Sequence, residues 1–123
     1  MQSSFVVLLC LVACISLTNA FTIYTFGDRV QIQKKDTVDT IADSLKQELQ
    51  IMNGEKYGKK KWDPRIYRTS RQNTNVIWMK IKVDHKKFLG VVIEDAYSGS
   101  PNIIECEVGY DRNMGMKTGA LIL

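Results

Sequence analysis

The chain has 123 residues and a formal net charge of +4, enough for one domain with a core of its own and too little for two. Of its three cysteines, Cys10 and Cys14 fall in an N-terminal apolar run; Cys106 is left alone, which excludes a disulfide framework in the remainder. The basic excess is modest, acidic residues are scattered through the chain, and no helix-turn-helix or RNP-type pattern is present, so no nucleic-acid partner is expected.

Met1 to Ala20 carries no charged side chain. Its centre, Phe5 to Ala13, is an apolar stretch of signal-peptide length, and Thr18-Asn19-Ala20 puts small residues where a signal peptidase reads. The segment departs from the usual pattern in lacking Lys or Arg ahead of the apolar stretch. A membrane anchor is the competing reading, but the continuous apolar run is short for a bilayer. The expectation is a signal peptide over residues 1–20, a mature domain over 21–123, secretion to the extracellular space, and no membrane association after cleavage.

Val30 and Ile32 alternate with Arg29, Gln31 and Gln33, which predicts a short first strand. Asp36 offers a helix N-cap, and Asp39 three residues on gives a capping-box-like start. Val38, Ile41, Ala42, Leu45, Leu49 and Met52 then form one apolar stripe on a helix that Asn53-Gly54 stops. A basic connector, Glu55 to Pro64, contains Lys59-Lys60-Lys61 with Trp62 beside it. A solvated loop is the plainer reading of that run, and a heparin-type surface the sharper one.

A strand is predicted from Arg65 to Arg71. Gln72 to Val83 then opens with a polar tip, Asn73-Thr74-Asn75, and runs into strict alternation. Ile77, Met79, Ile81 and Val83 point one way, while Trp78, Lys80 and Lys82 point the other, as expected of a strand with one face on a core and one in water. Asp84-His85-Lys86-Lys87 joins it to a second strand, Phe88 to Asp95, as a hairpin. After the turn Ser98-Gly99-Ser100-Pro101-Asn102 comes a last strand near 103–110, in which Cys106 alternates with Ile104, Val108 and Tyr110 and reads as a buried strand residue. The order is strand, helix, then about four antiparallel strands, an α+β domain.

Catalytic chemistry is hard to place on this chain. His85 is its only histidine and sits in a turn, too few ligands for a structural metal and a poor match for a strand-buried thiol. No glycine-rich phosphate loop occurs. Glu105 and Glu107 share an outer strand face, where solvation explains them. The expectation is a non-enzyme without cofactor or metal.

The residues resemble the cystatin superfamily, in particular its disulfide-free stefin branch, here with a signal peptide. The resemblance rests on Ile41 to Leu49 as the stefin helix and on Asn53…Tyr57. It continues with Gln72 to Val83, which has the length of the family's Gln-x-Val-x-Gly segment and ends in Ile81-Lys82-Val83. Lys87-Phe88-Leu89, Glu94-Asp95 and Gly109-Tyr110 follow in the family's order. It implies a cystatin-like fold, one long helix packed on a curled four- to five-stranded antiparallel sheet.

The resemblance also implies reversible inhibition of papain-like cysteine proteases (the cathepsin class) by occluding the active site, without a bond to the catalytic thiol. The implied contact residues are Gly27 in the N-terminal segment, Gln72, Asn73, Thr74, Asn75 and Val76 in the first loop, and Tyr97, Ser98, Gly99, Ser100, Pro101 and Asn102 in the second. The first loop departs from the family: Asn73-Thr74-Asn75-Val76 stands where Val-Val-Ala-Gly is usual. Losing two apolar docking side chains removes about 2–4 kcal/mol of binding. The alternative function is therefore a non-inhibitory cystatin-fold binding protein, a secreted effector or ligand, using the basic connector and Trp62 as its surface. A monomer is expected, with a domain-swapped dimer as the other arrangement.

Overall fold

The computed structural model describes residues 23–58, 61–110 and 120–122. The expected signal peptide, and Lys59 and Lys60 of the basic run, lie outside the described residues. The elements are β1 (Ile23–Thr25), β2 (Val30–Gln31), α1 (Thr37–Asn53), β3 (Asp63–Thr69), β4 (Ile77–Asp84), β5 (Lys87–Glu94), β6 (Asn102–Gly109) and β7 (Ala120–Ile122). Strands β2 to β6 form one antiparallel sheet in the order β2-β3-β4-β5-β6, and β1 pairs with β7 in a separate two-stranded ribbon. The α+β architecture, one helix on a five-stranded antiparallel sheet, is thus present.

The helix follows its apolar period, with one shift at the end. Val38, Ile41, Ala42, Leu45 and Leu49 are buried, and burying each of the larger ones is worth about 1.5–3 kcal/mol. The next step inward is Asn53, not Met52, which is 52% exposed. A period of 3.6 residues places the inward direction between the two positions, and Asn53 takes it by donating from Nδ2 to the Leu49 carbonyl at 3.0 Å. Gly54 closes the helix at φ 64°, left-handed backbone that suits glycine, and Glu55 N–H reaches back to the Gln50 carbonyl at 3.1 Å.

The expected capping box at the other end does not form. Asp36 has extended N-cap backbone but makes no side-chain bond into the helix. Its carboxylate instead accepts from Gln33 N–H at 3.0 Å, and that of Asp39 from Lys35 N–H at 3.0 Å. Both acids bind the turn before the helix, where Lys35 is held at φ 71°. The local turn competes successfully for the carboxylates.

The helix face of the sheet is lined by Ile77, Met79, Ile81 and Val83 of β4 with Leu89, Val91 and Ile93 of β5, and these form one core with the helix stripe. Tyr57 and Trp62, in the expected solvated connector, join this core with ring centroids 5.8 Å apart. Trp62 is 9% exposed, so it offers little to an outside partner.

The opposite face is not left to water. Tyr24 and Phe26 lie against Val76, Trp78 and Val92, with Ile66 and Ile104 beside them, in a second apolar cluster. Trp78 and Lys80 are each only 6% exposed. Alternation alone could not reveal this, because what covers the second face is a distant segment, β1 and the residue after it. Strand β3 also begins earlier than predicted and contains Pro64. The proline is tolerated because β2 pairs only with Ile66 and Tyr67, so Pro64 sits on an unpaired edge beside a bulge. The β4–β5 connection is tighter than expected, since Asp84 pairs with Lys87 and only His85 and Lys86 form the turn.

Candidate functional site: one end of the sheet

Every predicted contact segment gathers at the end of the sheet where β4 begins and β5 finishes. Ser70 starts the first loop. Its backbone N–H donates to the Val76 carbonyl at 2.9 Å, closing the loop, while its Oγ accepts from Gln72 N–H at 3.1 Å and Asn73 N–H at 3.2 Å. Inside that turn Val76 N–H donates to the Asn73 carbonyl at 3.0 Å, and Asn75 N–H donates to Asn73 Oδ1 at 2.9 Å. Asn73 and Thr74 face solvent, and Asn75 is half-buried. Val76 is wholly buried in the second cluster, so it anchors the loop and presents no side chain to a partner.

Gln72 ties this loop to the N-terminal segment. Its Oε1 accepts from Thr25 N–H at 2.8 Å, and its Nε2 donates to Thr25 Oγ1 at 2.7 Å. Gly27 lies two residues on, half-buried, with its N–H on the Thr69 carbonyl at 2.9 Å. Phe26 bridges to Ser70. The buried Arg68 side chain fixes the same segment from below. Its Nε donates to the Gly27 carbonyl at 2.7 Å and its Nη2 to the Phe26 carbonyl at 2.9 Å.

Asn75 ties the first loop to the second. Its carbonyl accepts from Ala96 N–H at 2.9 Å and its Oδ1 from Tyr97 N–H at 2.8 Å. The second loop then folds on itself, with Asp95 at φ 51° and Gly99 at φ 90°, and Ser98 Oγ donates to the Asp95 carbonyl at 2.8 Å. Ser98, Gly99, Ser100 and Asn102 are exposed, Pro101 is half-buried, and Tyr97 presents a phenol ring 46% exposed. Partial burial, then the nearby Tyr67, pushes the Tyr97 pKa up. Burial, then Glu94 and Asp95, does the same for Tyr24. Both phenols are therefore neutral hydrogen-bonding groups at physiological pH.

Three residues missed in the sequence hold the assembly together: Thr25, Ser70 and Arg68. Ser70 left a signal, since a serine opening a polar turn is a usual hydroxyl acceptor for the N–H groups that follow. Thr25 and Arg68 left none, because their partners are distant in sequence.

Among the described residues, the histidine and the cysteine both lie away from this end of the sheet. His85 is in the β4–β5 turn at the far end of the sheet. Cys106 packs against the helix side of the core, where burial pushes its thiol pKa up, away from the reactive thiolate. Among the described residues no group of three potential metal ligands occurs, and no helix is long and apolar enough to cross a membrane. No protein-family model matches the chain, and no curated protein matches it.

Proposed function

We propose that the chain is a secreted, non-catalytic protein with a cystatin-like fold that inhibits papain-like cysteine proteases reversibly by filling their active-site cleft. The observation that carries this reading is the hydrogen-bonded continuity of three segments: Gln72 links the N-terminal segment to the first loop, and Asn75 links the first loop to the second. Three separate pieces of chain thereby form one edge whose shape is set before a partner arrives, which lowers the ordering cost of binding. Among the described residues Tyr97 is the one large apolar side chain exposed on that edge, suited to burial in a partner's cleft.

Titration of the secreted chain against papain and a lysosomal cathepsin tests the reading. Inhibition that competes with substrate and reverses on dilution is the expected result; none at micromolar concentration overturns it. Asn73→Val with Thr74→Val is the matching gain-of-function variant: both positions are exposed and Val76 is left in place, at the loss of the bond from Asn75 N–H to Asn73 Oδ1. Tighter inhibition by roughly tenfold or more is expected from burying the two valines.

One observation favours a second reading, a non-inhibitory binding protein on the same scaffold. The first-loop tip exposes only polar side chains, and its one apolar residue, Val76, is turned inside. Under that reading the double valine variant creates inhibition where the parent has none.

A further inference from the structure

The N-terminal segment covers only part of the sheet face opposite the helix. Toward the β4–β5 turn the same face holds a cavity of about 1040 Å³. Register sets its floor: Gln31, Ile66 and Lys80 stand abreast on β2, β3 and β4, and Lys82 and Phe88 form the next row. Arg29 precedes β2, Arg65 occupies the bulge in β3, and His85 and Lys86 close the end at the hairpin turn.

The charge of this trough is one-sided. Among the described residues three lysines and two arginines line it, against the one carboxylate of Asp28. Even with Asp63 counted, which pairs with Arg65 at 2.8 Å, cations outnumber acids five to two. The Lys80 ammonium sits 4.6 Å from the centre of the Phe88 ring, its stem buried, so its charge is fixed at the floor. On the β6 side Glu107 stands next to Gly90, and Glu105 lies one row further along. These acids give the basic strip an edge and confine an anionic ligand to the β2–β4 side.

We infer that this trough binds a linear sulfated polysaccharide, whose successive sulfates meet Lys82, Lys86, Arg29 and Arg65. Cations spread over the approach to β2, the β3 bulge, β4 and the hairpin turn suit a repeating anion better than a single one. Single-stranded nucleic acid fits less well, because stacking needs a row of exposed rings. Here Phe88 is buried under Lys80, which leaves the Tyr110 phenol and the His85 imidazole as the exposed rings of the described lining, short of a row. A bilayer fits less well too, since the lining carries no exposed aliphatic group to insert. The floor of the trough lies toward the β4–β5 turn, at the other end of β4 from Gln72 and Asn75.

Calorimetric titration of the secreted chain with a heparin dodecasaccharide tests this. Expected is micromolar binding that weakens with added salt, because the interacting charges are near the surface. Lys82→Gln with Lys86→Gln is expected to weaken it roughly tenfold and to reduce its salt dependence. Lys34→Gln with Lys56→Gln removes the same charge elsewhere and is expected to leave affinity within roughly twofold. Lys86→Gln alone, in the exposed turn, reads in the same direction at smaller size and covers the case of a double variant that folds poorly. Equal losses from both double variants, or a larger loss from neutralising Lys59–Lys61, overturn the site. Tighter binding of single-stranded RNA or of phosphatidylserine vesicles, or displacement by millimolar inorganic sulfate, overturns the ligand class.

Discussion

Gln72 and Thr25 grip each other at two points: the glutamine amide accepts from the threonine N–H at 2.8 Å and donates to its hydroxyl at 2.7 Å. They are 47 residues apart, and this pair is where the N-terminal segment becomes part of the loop surface. Gln72→Ala is expected to weaken protease binding by about 1–2 kcal/mol, roughly tenfold, through loss of the preset edge. Hydrogen exchange supplies the check, with the Thr25 amide losing protection while the β4 and β5 amides keep theirs. Unchanged affinity would show that the segment takes no part in recognition.

Asn75 does for the second loop what Gln72 does for the first strand. Asn75→Asp keeps an acceptor for Tyr97 N–H, whereas Asn75→Ala removes it. The alanine variant is expected to lose about 1 kcal/mol of stability in urea unfolding and to expose the Tyr97 amide to exchange. The aspartate variant is expected to retain that protection. Equal exchange in the two variants would mean that Oδ1 is not what holds the second loop.

Arg68 is buried beneath the N-terminal segment and donates to two consecutive carbonyls, those of Phe26 and Gly27. Arg68→Met fills much of the volume but leaves both oxygens unsatisfied. An unfolding penalty of about 2–4 kcal/mol is expected, with earlier proteolytic cleavage near residue 27. Arg68→Lys recovers less than half, because one ammonium cannot reproduce the guanidinium fork.

Burial, then Glu107, pushes the Glu105 carboxyl above the ordinary carboxylate range, and its Oε2 is buried without a hydrogen-bond partner. A raised native pKa means the folded chain holds this proton more tightly than the unfolded chain does. Stability from this group is therefore complete at low pH and declines as pH rises through the raised value. Glu105→Gln is expected to raise Tm at neutral pH, by the equivalent of no more than about 1 kcal/mol for a half-exposed side chain. The difference should vanish below pH of about 4. A gap that persists in acid would point to packing in place of ionisation.

Much of this fold was legible because single-segment periodicity decides it. The helix stripe from Val38 to Leu49, the stop at Gly54, and the inward set Ile77, Met79, Ile81 and Val83 all follow from local spacing. What escaped the sequence depends on encounters between distant segments. Trp78 looks solvent-facing until Phe26 arrives, and Trp62 looks like a surface aromatic among lysines until it meets Tyr57. Strands β1 and β7 were missed for the same reason, since each is three residues long and takes its identity from the other. The candidate surface was readable as three separate stretches, but the residues that join them were not. The Asp36 and Asp39 carboxylates show the converse limit: a correct local motif was diverted to a nearer turn.

The inward turn of Val76 bears on substitution at the loop. With the valine sealed beneath it and the Asn73 side chain engaged by Asn75 N–H, the exposed Thr74 tip can change its chemistry while the interior stays untouched. That tip is an exchangeable piece on a fixed base, so a point substitution there alters the exposed chemistry of this end of the sheet without rebuilding the domain.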